Sequence, residues 1–294
     1  MNKARSGVAL TALALGLLGA GAASAAPQGD PPEVLAETDH VTVTRDGDWV
    51  RHDFTEPVGR NVEQREYDGR RADHGGCRFS GEQTVGPEDA GKVFEERQIA
   101  VNLRDCTMIT EVGEIDRADD VPQEGMRSET EVADAEGGLV AASAVTAAPN
   151  ASEPEQAGTV LAASSNKSAW HRTFYEDPPG LDVNSAKTNV SWSYNGSCVT
   201  NSWGHSTNYD WLWQSGWTKV ASGTTSWQGC SYARTTSNSE FLNGVFCATI
   251  DTRTEYRPNE LKGQENGNYT MAWDADAWGG CSSWLSFHRS WGSS

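Results

Sequence analysis

The chain has 294 residues, with 41 acidic against 23 basic side chains and a formal net charge of −18. A field so acidic repels phosphate backbones, and no basic stripe offsets it, so nucleic acid is excluded as a partner. The imbalance is local: residues 27–168 hold 30 acidic and 13 basic side chains, residues 169–294 only 11 and 8.

The N-terminus reads as an export signal. Lys3 and Arg5 in "MNKARS" precede the apolar run "GVALTALALGLLGAGA", and small residues stand at Ala23 and Ala25. This is the pattern of a secretory signal peptide over residues 1–25, cut after Ala25. The run is short for a bilayer span, and no second stretch of about 20 apolar residues follows. No cysteine follows it to take a lipid anchor. The expectation is a secreted, extracellular protein without a membrane span.

Residues 26–116 read as a small acidic β module. "HVTVTRDG" and "DWVRHDF" predict a hairpin over 40–54. "KVFEERQIAVNLRDCTMITEVG" predicts a second, with Ile99, Val101 and Leu103 on one face and a turn near "LRD". Its two cysteines, Cys77 and Cys106, pair by economy. Residues 117–168 hold no aromatic residue and no sustained hydrophobic period, the composition of a disordered linker with a transient helix around 128–135.

Residues 169–294 read as a Trp-rich, β-sandwich-like module. Eleven of the twelve tryptophans lie here, in short Thr/Ser/Trp-rich runs separated by Asn-Gly, Ser-Gly, Gln-Gly and Gly-Gly. In "TNVSWSYNGSCVT", Val190, Trp192 and Tyr194 share a face. Four cysteines allow three pairings. The local one, Cys198 with Cys230 and Cys247 with Cys281, is preferred. An even count in an exported chain favours disulfides over zinc, since no C-x-x-C pair exists. No internal repeat is evident. The fold class is therefore mostly β: two modules joined by a linker.

Aliphatic residues are scarce in the second module, so several tryptophans must fill its core. The remainder are candidates for a displayed platform. "NSWGHSTNYDWLWQSGW" (201–217) is the candidate surface, with Trp203, His205, Tyr209, Trp211, Trp213 and Trp217 as ligand-binding residues. On a strand Trp211 and Trp213 face one side. Flat rings beside polar side chains suit a carbohydrate or cell-envelope polymer. The expected role is non-catalytic binding without metal or cofactor.

A hydrolase is the alternative. Glycoside hydrolysis needs two carboxylates, and Glu176, Asp177, Asp210, Asp251, Glu255, Asp274 and Asp276 are available. Asp274 and Asp276 in "WDADAW" lie close on one strand face, where a solvated surface is the ordinary reading. Among the histidines, His205 and His288 are acid–base candidates by residue type. No H-E-x-x-H or G-x-S-x-G occurs. The third reading is a structural or protein-interaction module with a removable acidic pro-region.

At "ERQIAVNLRDCTMITEVG", "SGW" and "FLNGVFC" the chain resembles secreted proteins of actinomycete bacteria that carry no assigned activity. The resemblance implies an exported bacterial protein and transfers no catalytic residue.

Overall fold

Among the described residues, alternation and turn residues resolve into eighteen strands. In the computed structural model, residues 31–116, 125–135, 164–248 and 250–294 are described. The expected signal peptide and residues 117–124 and 136–163 of the expected linker lie outside them. The strands are β1 (Glu33–Glu37), β2 (Val41–Asp46), β3 (Trp49–Phe54), β4 (Arg60–Asp68), β5 (Arg70–Arg71), β6 (Cys77–Val85), β7 (Val93–Asn102), β8 (Thr107–Ile115), β9 (Met126–Val132) and β10 (Asp134–Ala135). There follow β11 (Ser165–Glu176), β12 (Asp182–Tyr194), β13 (Val199–Leu212), β14 (Trp217–Gln228), β15 (Tyr232–Cys247), β16 (Ile250–Gln264), β17 (Tyr269–Gly279) and β18 (Ser286–Ser293). Among the described residues there is no α-helix, only three short 3-10 turns.

One sheet runs β1-β2-β3-β7-β18-β11-β12-β13-β9, with β8 branching from β7 and β4 beyond it; the other runs β10-β14-β15-β16-β17-β6-β5. Every pairing is antiparallel except β10 with β14. Both predicted hairpins form, β2–β3 and β7–β8. The second carries a bulge between Gln98 and Ala100. That extra residue breaks the period of two: Val101 is buried in the core, while Ile99 is only half-buried and Leu103 lies past the strand end.

The two segments expected to be separate modules contribute to both sheets. β7 pairs with β18 from Val93↔Gly292 to Arg97↔His288, and β6 pairs with β17 from Arg78↔Asp276 to Val85↔Tyr269. Residues from Pro32 onward form one compact unit. Inside the expected linker, Met126–Val132 and Asp134–Ala135 are strands rather than a helix, and β11 begins at Ser165. "MRSETEV" has no apolar face of its own. Its extended state comes from pairing along the edge of β13.

The sheets enclose two buried clusters, each with residues from both segments. As the scarcity of aliphatics requires, rings fill them: Trp192, Trp217, Trp273 and Trp291 are fully buried. Among the buried polar groups are hydrogen-bonded Tyr, Thr and Asn side chains. Tyr256 Oη donates to Asn184 Oδ1 at 2.7 Å, Thr254 Oγ1 to the same atom at 3.0 Å, and Asn259 Nδ2 to the Ala186 carbonyl at 2.8 Å. Each bond joins the two sheets and satisfies a polar group that burial would otherwise penalise.

The three disulfides are Cys77–Cys106, Cys198–Cys230 and Cys247–Cys281. The first closes a loop of sequence separation 29, about 3–4 kcal/mol in the chain-entropy model.

Candidate functional site

The six aromatic-run residues do not form one surface. Trp217 is 1% exposed, packed 6.1 Å from Phe246, and Tyr209 is fully buried with its hydroxyl 2.9 Å from Thr224 Oγ1. Both are core residues, which corrects the platform expectation for them. Trp211 is half-buried against Phe241 at 6.5 Å. Trp213 has left the strand for a 3-10 turn, so it no longer shares a side with Trp211 by strand alternation. His205 is tied to Thr235 Oγ1 and Ser202 Oγ at 2.8 Å each, and burial lowers its pKa. Trp203 and Trp213 are exposed, at 42% and 45%. They stand toward opposite ends of β13, roughly 30 Å apart at the usual strand rise.

The carboxylate candidates are also placed differently. Asp274 and Asp276 share the outer face of β17, but neither is solvated: Asp276 is 0% exposed. Arg70 donates to Asp274 Oδ2 at 2.9 Å, and Arg78 Nε lies 3.3 Å from Asp276 Oδ2 and 3.5 Å from Asp274 Oδ1. Arg78 also pairs with Glu255. Burial pushes both aspartates above their ordinary pKa, with the neighbouring cations opposing it. These are ion-paired groups on a covered face.

Next to them the structure brings together residues that sequence reasoning had left apart. His74 Nε2 lies 2.7 Å from Asp276 Oδ2, and its ring stacks on Trp278 with centroids 4.2 Å apart and planes 15° from parallel. The pair forms one wall of a cavity of about 370 Å³. Arg45, Arg71 and Gln98 from the first segment meet Tyr175, Ser282 and Ser283 from the last around it, over a floor that includes Phe79, Val101 and Leu285.

A signal for this site does stand in the sequence, as a short repeat: "HGGC" at 74–77 and "WGGC" at 278–281. Each places a ring, two glycines and a disulfide cysteine in order, and the two rings are the ones that stack. The glycines are needed locally. Gly279 has φ +90, and a Cβ on it would sit 1.9 Å from the Asp251 carbonyl oxygen.

Arg71 is spent on structure: it donates to the carbonyls of Gly75 and Arg104 at 2.9 and 3.0 Å, and to that of Leu103. Arg45 has no ion-pair partner among the described residues. No carboxylate lines the cavity.

The geometry speaks against a base here. The Gly76 N–H points to His74 Nδ1 at 3.2 Å, so Nδ1 accepts and Nε2 carries the proton donated to Asp276. Neither ring nitrogen has a lone pair left for a nucleophile. The nearest likeness to a catalytic triad lies elsewhere. Ser286 Oγ is 2.9 Å from His288 Nε2, and Glu95 Oε1 is 3.7 Å from Nδ1. That second distance is too long for a hydrogen bond, and Ser286 and His288 are both buried, so no substrate reaches the serine.

Among the described residues, no group of His, Cys, Asp and Glu is arranged to hold a metal ion, and no helix is long and apolar enough to cross a membrane. The chain matches no protein-family model, no curated protein and no solved structure.

Proposed function

We propose that this is an exported, non-catalytic binding protein whose ligand is an acidic sugar unit of an extracellular or cell-envelope polymer. The site is the cavity beside Trp278, not the 201–217 run. One observation carries the reading: in a chain of 41 acidic and 23 basic side chains, the cavity wall has no carboxylate and holds two guanidinium groups, Arg45 and Arg71. Such local positive potential inside an acidic field selects an anion. Gln98, Tyr175, Ser282 and Ser283 add donors and acceptors at the scale of sugar hydroxyls, and Trp278 adds an apolar face. Three disulfides support export.

The location is tested by binding of the full chain to a panel of neutral, uronic-acid and sulfated oligosaccharides. Trp278→Ala is expected to weaken binding at least tenfold with the fold retained, and Trp213→Ala to leave it unchanged. The reverse pattern returns the site to the 201–217 run. Retained affinity in both variants rejects the cavity.

A further inference from the structure

Residues 125–135 form a strap across the open side of the sandwich. β9 pairs with β13 from Leu212↔Met126 to Ser206↔Val132, and the Ala133 N–H then donates to the His205 carbonyl at 3.0 Å. β10 continues along β14, Asp134 opposite Thr225 and Ala135 opposite Ser226. The strap therefore closes the groove between the edges of both sheets.

What lies in that groove is specific. Lys219 Nζ, its side chain only 11% exposed, sits 4.8 Å from the Tyr209 ring centroid and 5.6 Å from that of Trp211. The strap neutralises it: Glu129 Oε2 is 2.8 Å and Glu131 Oε1 3.6 Å from the ammonium. Glu131 also accepts from Ser222 and, at 3.4 Å, from Thr224. Arg127 covers the Trp213 ring at 4.8 Å.

What holds the strap is almost wholly polar. No residue of Met126–Val132 is buried, Val132 is 77% exposed, and Met126 alone packs on the core. Apolar burial, the main source of strand stability elsewhere in the molecule, contributes little here. The ladder and two carboxylates remain, and any extended chain with two carboxylates two residues apart supplies those. The converse also holds. With the strap gone, Lys219 loses both of its carboxylate partners beside the Tyr209 and Trp211 rings, so the groove favours an acidic occupant.

We propose that the groove between the β13 and β14 edges is a docking site for an extended acidic segment of a partner protein, and that Met126–Val132 occupies it in cis as a stand-in. Tyr209, Trp211 and Trp213 then line a strand-binding groove, distinct from the cavity at Trp278.

The test uses the full chain and a labelled synthetic peptide of residues 125–135, followed by fluorescence anisotropy. The double variant Glu129→Gln/Glu131→Gln weakens the strap in cis. It is expected to bind the wild-type peptide at least tenfold more tightly than the unmodified chain does. A peptide with both glutamates changed to glutamine should bind neither, and adding Lys219→Met to the variant should abolish binding. Absence of peptide binding by a double variant that keeps its near-ultraviolet circular dichroism and melting temperature overturns the proposal. So does concentration-dependent dimerisation of the unmodified chain that alone accounts for exchange, since the occupant is then a second copy. Hydrogen exchange gives a readout independent of the variants. The β9 amides are expected to exchange at least 100-fold faster than those of β12, and equal protection contradicts a displaceable strap.

Discussion

Glu96 of β7 and Arg289 of β18 form an ion pair in the interior, with side chains 1% and 0% exposed. Thr110 Oγ1 donates to the other Glu96 oxygen at 2.6 Å, and the Arg289 guanidinium lies 4.9 and 5.2 Å from the ring centroids of Trp273 and Trp291. Burial works against the Glu96 charge, but Arg289 beside it holds the carboxyl below its ordinary pKa. The pair joins the acidic first segment to the end of the chain.

Removing one partner strands the other charge. Glu96→Gln is expected to cost about 3–5 kcal/mol in urea denaturation followed by tryptophan emission, and to keep a single transition. A loss below about 1 kcal/mol contradicts the pairing as described.

The removable pro-region reading makes a separable prediction. No disulfide links residues before 117 to those after 163: Cys77–Cys106 lies in one part and the other two bridges in the second. Cutting the chain between residues 136 and 163 is nevertheless expected to leave one particle in size-exclusion chromatography, because β7 is hydrogen-bonded to both β8 and β18. Separation of two folded fragments without denaturant contradicts this.

Two groups, one buried and one half-buried, set opposite pH dependences. Burial lowers His52 from 6.5 to about 4. A histidine whose folded pKa is depressed contributes stability that is complete above 6.5 and lost as pH falls toward 4, here about 3 kcal/mol. His52→Leu is expected to flatten the stability curve in that window. Burial raises Asp177 from 3.8 to about 6. Its contribution is complete below 3.8 and lost as pH rises through 6. Asp177→Asn, which keeps an acceptor for the Leu181 N–H, is expected to gain about 1–2 kcal/mol at pH 7 and nothing at pH 3.5, allowing for its part-exposure. Chemical denaturation across pH 3.5–7.5 checks both signs.

Much of the architecture was legible because period-two alternation survives burial: Val190 and Trp192 point inward as their spacing requires. Four things were not. β9 has no apolar period, since its strand state is imposed by the β13 edge. The bulge at Gln98/Ala100 shifts a register that alternation assumes to be constant. Alternation also tells which side of a strand a ring takes but not whether something covers it. Tyr209 and Trp217 are covered by the facing sheet or the chain turn, and Asp274 and Asp276 by Arg70, Arg78 and His74, which lie far away in sequence. The cavity itself needed the doubled "GGC" to be read as a pair.

The central claim is that the cavity selects negative charge. It is tested most directly by calorimetric titration of the full chain with a matched pair of oligosaccharides, one neutral and one uronic, at about 50 and 300 mM salt. The account predicts that the uronic ligand alone binds, that salt weakens it, and that Arg45→Gln weakens it at least tenfold without changing the melting temperature. Equal binding of the neutral ligand, or an Arg45→Gln variant indistinguishable from the unmodified chain, contradicts it.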